Sequence, residues 1–98
     1  MLEKEPLSPV EARQLIRRIL REPGGRVMFS RHARRERMLQ RRISEDEVLH
    51  CLRRGHCGTN ITFENSSWRY PIETPGLTVV VAFNSITMAI VITTWRKR

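Results

Sequence analysis

The sequence predicts an α+β protein, with helices in the first half of the chain and strands in the second. Two capping-box patterns, at Ser8–Glu11 and Ser44–Glu47, each mark the start of a helix. From residue 60 onward, runs rich in β-branched residues alternate with turn residues. Helices followed by consecutive strands are typical of folds in which helices cover one face of a sheet. We therefore expect two or three N-terminal helices packed on a curved, four-stranded, mostly antiparallel sheet.

The helical half divides into three segments. The first helix begins at the first capping box, carries a stripe of leucine and isoleucine, and ends at a Pro-Gly-Gly sequence. Ser30 is placed to cap a second helix over about Arg31–Arg41, and a third helix begins at the second capping box. Gly55 suits the left-handed residue that often ends a helix. Between the first two helices, Arg26–Phe29 is a short segment compatible with extended backbone.

Four strands are expected in the second half, at Asn60–Glu64, Trp68–Glu73, Leu77–Phe83 and Thr87–Trp95. Asn65-Ser66-Ser67 indicates a hairpin turn between the first two of them. The last two strands are nearly continuously apolar. We therefore expect both faces of the sheet to be at least partly covered.

The chain is strongly basic. Its 98 residues include 18 lysines and arginines against 10 acids, which gives a net charge of +8 and a pI near 11.2. This imbalance predicts attraction to nucleic acid, an anionic membrane or an acidic protein. The only lysines are Lys4 and Lys97. Arginine is the better planar, bidentate phosphate binder, although a GC-rich genome would also enrich arginine.

Length and composition limit the organisation and location of the protein. We expect a single domain over residues 1–98, with residues 1–7 and 96–98 flexible. No segment reaches the roughly 18 apolar residues of a membrane span. Among the partners that the charge allows, we expect RNA rather than a membrane. The acidic, polar N-terminus does not resemble a signal peptide, and two cysteines make no disulfide framework. Together these features predict a cytoplasmic protein.

The arginine segment, residues 31–42, is the most unusual stretch. It carries six arginines and one acid, Glu36. On a helix these arginines cannot all be hidden, and we expect Arg31, Arg34, Arg35 and Arg42 to bind nucleic acid. Only Ala33, Met38 and Leu39 are available to hold the helix on the core. A solvated charged face is the alternative interpretation.

His32 occupies the second position of this helix. There it meets free backbone N–H groups and the positive end of the helix dipole, which disfavours the imidazolium form. A neutral imidazole can accept the proton of a ribose 2′-hydroxyl while neighbouring arginines hold the phosphate. The alternative is a histidine that only caps or packs.

Several motifs around this helix match a family signature. The sequence resembles a bacterial family of small proteins with the pattern F-[ST]-x-H-A, R-M-x-x-R-x-I-[ST], E-x-V and a closing G. The matching residues are Phe29-Ser30-Arg31-His32-Ala33, Arg37-Met38-Leu39-Gln40-Arg41-Arg42-Ile43-Ser44, Glu47-Val48 and Arg54-Gly55. The clear match covers about Val27 to Gly55, and a looser one includes Trp68-Arg69-Tyr70, Leu77–Val81 and Val91–Thr94. That family in turn resembles the RelE, ParE and BrnT toxins and the metal-independent ribonuclease fold they share.

The resemblance implies either mRNA cleavage, as the toxin of a toxin–antitoxin pair, or an inactive or regulatory descendant. It implies catalytic roles for His32, Arg37 and Arg41, and an acidic or DNA-binding antitoxin as a possible partner. One spacing departs from the pattern, because the histidine usually precedes the arginine of R-M by four residues, whereas His32 precedes Arg37 by five. Either the helix starts later, or His32 points elsewhere and Arg35 or Glu36 takes its place.

The strands offer further candidate RNA contacts. Alternation places Trp68 and Tyr70 on one face of a strand and Arg69 on the other. Tyr70 is a candidate for base stacking or acid catalysis, with an edge-of-core role as the alternative. Of Thr93 and Thr94, one must face outward, where its hydroxyl can bind phosphate, and we name Thr93. Trp95 followed by Arg96 begins a basic tail beside an aromatic ring, a combination that suits RNA.

Metal and cofactor chemistry are not expected. The H-C-x4-H-C pattern of His50-Cys51 and His56-Cys57 offers zinc-type ligands, but its spacing matches no familiar zinc module, and buried thiols are the preferred interpretation. The sequence thus predicts an RNA-binding, metal-independent ribonuclease. The alternatives are a non-catalytic module that binds nucleic acid or a protein, as a ParE-like toxin does, and a protein whose basic face is only solubilising.

Overall fold

Residues 2–97 are described in a computed structural model, and they form three helices and six strands. The helices are α1 (Pro9–Arg21), α2 (residues 32–41) and α3 (Glu45–Arg54). The strands are β1 (Arg26–Phe29), β2 (His56–Cys57), β3 (Thr62–Glu64), β4 (Ser67–Glu73), β5 (Leu77–Ser85) and β6 (Met88–Arg96). The predicted α+β class is confirmed.

Helices α1 and α3 begin as the capping signals predict. The Ser8 hydroxyl accepts the Glu11 backbone N–H at 3.2 Å, and the Ser44 hydroxyl accepts that of Glu47 at 3.1 Å. Each glutamate in turn accepts the backbone N–H of its serine, at 2.9 Å in α1 and 3.1 Å in α3. Both reciprocal pairs satisfy donors that the first helical turn would otherwise leave exposed.

The end of α3 differs from its prediction. Gly55 has an extended backbone with φ −75° and ψ 170°, so the expected left-handed stop is wrong. Glycine is needed here for another reason, since a Cβ at this position would lie 2.7 Å from the carbonyl oxygens of Cys51 and Glu73. The residue lets the end of α3 approach β4 closely.

Helix α2 has two parts. His32–Met38 is π-helical, with i→i+5 hydrogen bonding, and Leu39–Arg41 is α-helical. The predicted Ser30 cap is present, because its hydroxyl accepts the Ala33 backbone N–H at 3.0 Å.

Helix α2 ends in a left-handed residue that is not glycine. Arg42 has φ 52° and ψ 49°, and its N–H returns to the Leu39 carbonyl. The next N–H, of Ile43, bonds the Met38 carbonyl at 2.9 Å. This pair of bonds is the Schellman arrangement.

The sheet is larger than predicted. Its strand order is β1-β6-β5-β4-β2, with β3 paired to the other end of β4. All pairings are antiparallel except β1 with β6. The four predicted strands are β3 to β6. The predicted count of four is wrong because β1 and β2 also belong to the sheet. These two have only four and two residues, too few for a periodic pattern, and they form by backbone pairing to strands distant in sequence.

The β3–β4 turn confirms the predicted hairpin. Asn65 and Ser66 have φ of 48° and 65°. Positive φ at both central residues is the type I′ geometry, whose twist matches that of the paired strands.

The core lies between one face of the sheet and helices α1 and α3. It contains Ala12, Ile16 and Ile19 of α1, Val48, Cys51 and Leu52 of α3, and Tyr70, Ile72, Val79, Val81, Ala89 and Val91 of the sheet. Helix α2 contributes Ala33 and Met38 as predicted. Leu39 is 77% exposed, so its predicted core role is wrong. The widened π-helical turns place Ala33 and Met38, rather than Leu39, on the inner side.

Side chains on the opposite face of the sheet are partly shielded from solvent. Thr78 and Ala82 are buried on that face, whereas Val80, Ile90 and Ile92 are half-buried. The expectation of partial cover on both faces is therefore confirmed. Within residues 2–97, no helix is long and apolar enough to cross a membrane.

The N-terminal segment contacts the core through Tyr70. The tyrosine hydroxyl donates to the Glu5 carboxylate at 2.7 Å and accepts the Leu7 backbone N–H at 3.0 Å. Flexibility of residues 1–7 and 96–98 stays a prediction, and Met1 and Arg98 lie outside the described residues.

Candidate nucleic-acid interface

Helix α2 lies along the edge of β6 because Ser30 ends the parallel pairing of β1. The last paired residues are Phe29 and Val91. Ser30 then donates its N–H to the Val91 carbonyl at 2.9 Å and its hydroxyl to the Ile92 carbonyl at 3.0 Å. Beyond this point α2 takes the place of a strand beside β6.

A β-bulge aims two consecutive side chains of β6 at the same face. Val80 of β5 pairs with Thr93, but Val81 pairs with Val91, so Ile92 is an extra residue on β6. Such a bulge resets the alternation of inner and outer side chains. Val91 and Thr94 are consequently buried, whereas Ile92 and Thr93 are partly exposed. Thr93 is therefore the outward-facing threonine, as named from the sequence.

An open groove of about 760 Å³ lies between α2 and this face of the sheet. Six of the predicted site residues line it, namely His32, Arg37, Arg41, Arg69, Thr93 and Arg96. The rest of the lining comes from Ile92 and Trp95. Four guanidinium groups from three separate elements thus meet at one concave surface, which favours an anionic ligand.

His32 lies between an acid and an arginine. Its Nδ1 is 2.6 Å from the Glu36 carboxylate, and its Nε2 is 3.1 Å from Nε of Arg37. Because arginine can only donate, Nε2 is the acceptor and Nδ1–H donates to Glu36. The imidazole ring is therefore oriented from both sides, by Glu36 at Nδ1 and by Arg37 at Nε2.

The π-helical turns explain the unusual spacing of five residues between His32 and Arg37. In an α-helix the side chains that stack are three or four apart. An i→i+5 turn is one residue wider and places positions five apart on the same side. The histidine does not point elsewhere, and neither Arg35 nor Glu36 replaces it in the groove.

The other groove arginines differ in how firmly they are held. Arg41 is exposed and donates once, to the Thr94 carbonyl at 3.3 Å. The Arg69 side chain is only 18% exposed and contacts Glu64 at 3.4 Å, while its buried Nε has no hydrogen-bond partner among residues 2–97.

Arg96 is the most firmly anchored of the four. It donates to the carbonyl oxygens of Arg41 and Arg42, at 3.4 and 2.6 Å, and to the Glu47 carboxylate at 2.9 Å. Its guanidinium group therefore joins the end of α2 to the start of α3. The hydrogen bond from Arg96, and then that from the Ser44 backbone, holds the pKa of Glu47 below its ordinary value of 4.5.

Five predicted site residues lie outside the groove lining: Arg31, Arg34, Arg35, Arg42 and Tyr70. Arg34 pairs with Glu45 at 2.9 Å and lies over the Phe29 ring. Tyr70 is fully buried on the opposite face, and burial raises the pKa of its hydroxyl far above the ordinary range. Its ring consequently does not reach the groove.

Sequence reasoning did not assign Ile92, Glu47 or Glu64 to the site. It considered Glu36 only as a replacement for His32, and it noted Trp95 beside the basic tail without naming it as a site residue. Ile92 faces the groove only because of the bulge, for which the sequence carries no signal. Trp95 had a signal, since it is an aromatic residue beside a basic tail.

The H-C-x4-H-C residues do not form a metal site. In residues 2–97, no group of three or more His, Cys, Asp or Glu side chains is placed to hold a metal ion. His50 and His56 are exposed, whereas both cysteines are buried. Burial raises the pKa of the Cys57 thiol to about 11 and that of Cys51 in the same direction, so neither is a ready thiolate.

Comparison with known proteins identifies no relative: no protein-family model, no curated protein and no solved structure matches the chain.

Proposed function

We propose that this protein binds single-stranded RNA in the groove and cleaves it without a metal ion. The observation that supports this most directly is the Glu36–His32–Arg37 arrangement at the wall of an arginine-lined groove. A neutral histidine oriented by a carboxylate is a general base, and arginines beside it stabilise charge that develops on a phosphate.

RNA binding follows from the charge and shape of the groove. Arg37 and Arg41 line the groove, where Arg37 uses its Nε in the bond to His32 and Arg41 uses one terminal nitrogen in the bond to the Thr94 carbonyl, and Thr93 adds a hydroxyl. Planar guanidinium groups bind phosphate oxygens in pairs. Binding of this kind weakens steeply with salt, because each neutralised phosphate releases counterions.

Cleavage would use the ribose itself as nucleophile. His32 Nε2 accepts the proton of the 2′-hydroxyl, and the 2′-oxygen attacks the adjacent phosphorus. The bond to the 5′-oxygen breaks, and that oxygen takes a proton from solvent in the open groove. The products are a 2′,3′-cyclic phosphate and a 5′-hydroxyl. Glu36 stabilises the imidazolium that forms, as the carboxylate of a catalytic triad does.

Arg37 would change partners when RNA binds. Without RNA its Nε–H occupies the lone pair of His32 Nε2. A phosphate in the groove competes for the same guanidinium group, because a charged acceptor forms the stronger hydrogen bond. Withdrawal of Arg37 toward phosphate frees Nε2 at the moment when the 2′-hydroxyl arrives.

The biological role that fits this chemistry is that of a ribonuclease toxin resembling RelE and BrnT, in a bacterial cytoplasm. The supporting features are the motif resemblance over Val27 to Gly55 and the basic groove. Its partner would be an antitoxin whose acidic segment occupies the groove and blocks RNA.

The test is cleavage of a labelled single-stranded RNA in the presence of EDTA. We expect wild-type protein to leave 2′,3′-cyclic phosphate ends, and His32→Ala to lower the rate by about 10²- to 10⁴-fold. His50→Ala is the matched control, because His50 is also exposed on a helix but lies outside the groove. Equal cleavage by wild type and His32→Ala would contradict the proposal and point to a contaminating nuclease.

A binding module without chemistry is the second candidate. It is favoured by the same Arg37–His32 bond, which in the free protein leaves no open lone pair on Nε2. RNA that is bound with strong salt dependence but never cut, even at high protein concentration, would support this candidate. Arg41→Ala should then weaken binding to all sequences alike, while Arg18→Ala on the exposed side of α1 should not.

A further inference from the structure

The groove continues into a second pocket on the same face of the sheet. This pocket has a volume of about 390 Å³ and shares Arg69, Thr93 and Trp95 with the groove. A ligand whose phosphate lies among the arginines can therefore extend into the pocket without leaving the protein surface.

Trp95 is the aromatic residue among the three that line both cavities. It lies near the end of β6, opposite Thr78 in the register, and is 38% exposed. Pro71 of β4 and Val80 of β5 supply apolar surface to the same pocket. A partly exposed indole beside a cationic groove is the combination on which proteins stack unpaired bases.

The polar side of the pocket is rich in hydrogen-bond acceptors. Glu64 and Glu73 contribute carboxylates, and Asn60 and Thr62 contribute groups that both donate and accept. One oxygen of Glu64 contacts Arg69 at 3.4 Å and one oxygen of Glu73 contacts Lys97 at 2.8 Å, so the second oxygen of each carboxylate is the acceptor for a ligand. Carboxylates only accept, so they favour a base edge that carries an amino group. The exocyclic amino group of cytosine is such a donor, whereas uracil presents a carbonyl oxygen at the same position.

We propose that this pocket is a nucleobase subsite, in which the base next to the groove-bound phosphate stacks on Trp95 and presents an amino group to the carboxylates. The inference rests on the proposed RNA binding and adds two properties to it. Base-paired RNA is excluded, because a paired base cannot leave its stack to enter the pocket. Cytosine is bound in preference to uracil.

The experiment measures the affinity of 12-nucleotide 2′-O-methyl oligonucleotides by fluorescence anisotropy. These probes lack the 2′-hydroxyl and cannot be cut. Three probes of equal charge are compared: all cytosine, all uracil and fully abasic. We expect wild-type protein to bind the cytosine probe about tenfold or more tightly than the abasic probe. Trp95→Ala should bind both at the abasic level, and Trp95→Phe should keep part of the difference.

Several outcomes would overturn the subsite. If wild-type protein cleaves RNA but binds cytosine and abasic probes equally, the subsite fails while the proposed function stands. If Trp95→Ala keeps the full difference, Trp95 is not the stacking platform. Equal affinity for the cytosine and uracil probes would overturn the role of the carboxylates. If the carboxylates act as proposed, Glu64→Gln should reduce the preference for the cytosine probe over the uracil probe. Binding of no probe, together with no cleavage of RNA, would defeat the proposed function itself.

Discussion

Helices α2 and α3 are neighbours of equal length that are held in opposite ways. Both have ten residues, and three residues separate them. Helix α3 is regular, begins with a reciprocal capping box and buries Val48, Cys51 and Leu52. Helix α2 is mostly π-helical, buries only Ala33 and Met38, and directs its arginines outward.

The irregular helix is the one that carries candidate site residues. Packing determines the position of α3, so its sequence follows the ordinary rules of an amphipathic helix. Helix α2 departs from those rules at the residues that line the groove. Departures from regular geometry that the surrounding structure stabilises are common at functional sites.

The largest expected effect is the difference in the free energy of unfolding between replacing a buried leucine and replacing an exposed one. Leu52 of α3 is fully buried and Leu39 of α2 is 77% exposed. Leu52→Ala should lower the free energy of unfolding by about 2–5 kcal/mol, because it leaves a cavity. Leu39→Ala should change it by less than about 0.5 kcal/mol. Urea unfolding measures both, and similar losses for the two variants would show that Leu39 is packed in the core rather than exposed.

Deletion of Arg35 should convert α2 into an ordinary α-helix. The change brings His32 and Arg37, and likewise Ala33 and Met38, from five residues apart to four, so each pair still shares one face. We expect the free energy of unfolding to stay constant or rise by up to about 1 kcal/mol, as regular hydrogen bonds replace π-helical ones. Circular dichroism and urea unfolding measure the result. A loss greater than about 2 kcal/mol would show that the fold requires the π-helical turns.

The smallest effect concerns the ion pair that joins the two helices to β6. The pKa of Glu47 is lower in the folded protein than its ordinary 4.5, mainly because Arg96 donates to it. A depressed carboxyl pKa contributes stability above the unfolded value, and this contribution is lost as pH falls through the folded value. Wild-type stability should therefore decrease as the pH is lowered below about 4.5. Glu47→Gln, which keeps the capping box, should show a flatter pH dependence in urea unfolding between about pH 5 and pH 3.

Identical acid sensitivity in wild type and Glu47→Gln would show that the Arg96 contact contributes nothing to folding. The side chains of Arg96 and Glu47 are 47% and 43% exposed, so high salt should weaken the effect.

The sequence by itself determined the local elements of this protein. Ser8, Ser30 and Ser44 begin helices because short hydroxyl side chains satisfy backbone donors a few residues away. The Asn65-Ser66 turn and the β-branched strands follow equally local rules. The sequence also identified six of the residues that line the groove, because charge and residue type are visible without a structure.

Only the tertiary structure decided how those residues meet. The β1 and β2 pairings, the bulge at Ile92 and the burial of Tyr70 depend on segments far apart in the chain. The tertiary contacts of α2 also decided that Ala33 and Met38 would share the inner side while Leu39 faces solvent. The π-helical turns that satisfy this packing are the same turns that bring Arg37 onto His32, which is why the arginine segment forms one wall of the groove.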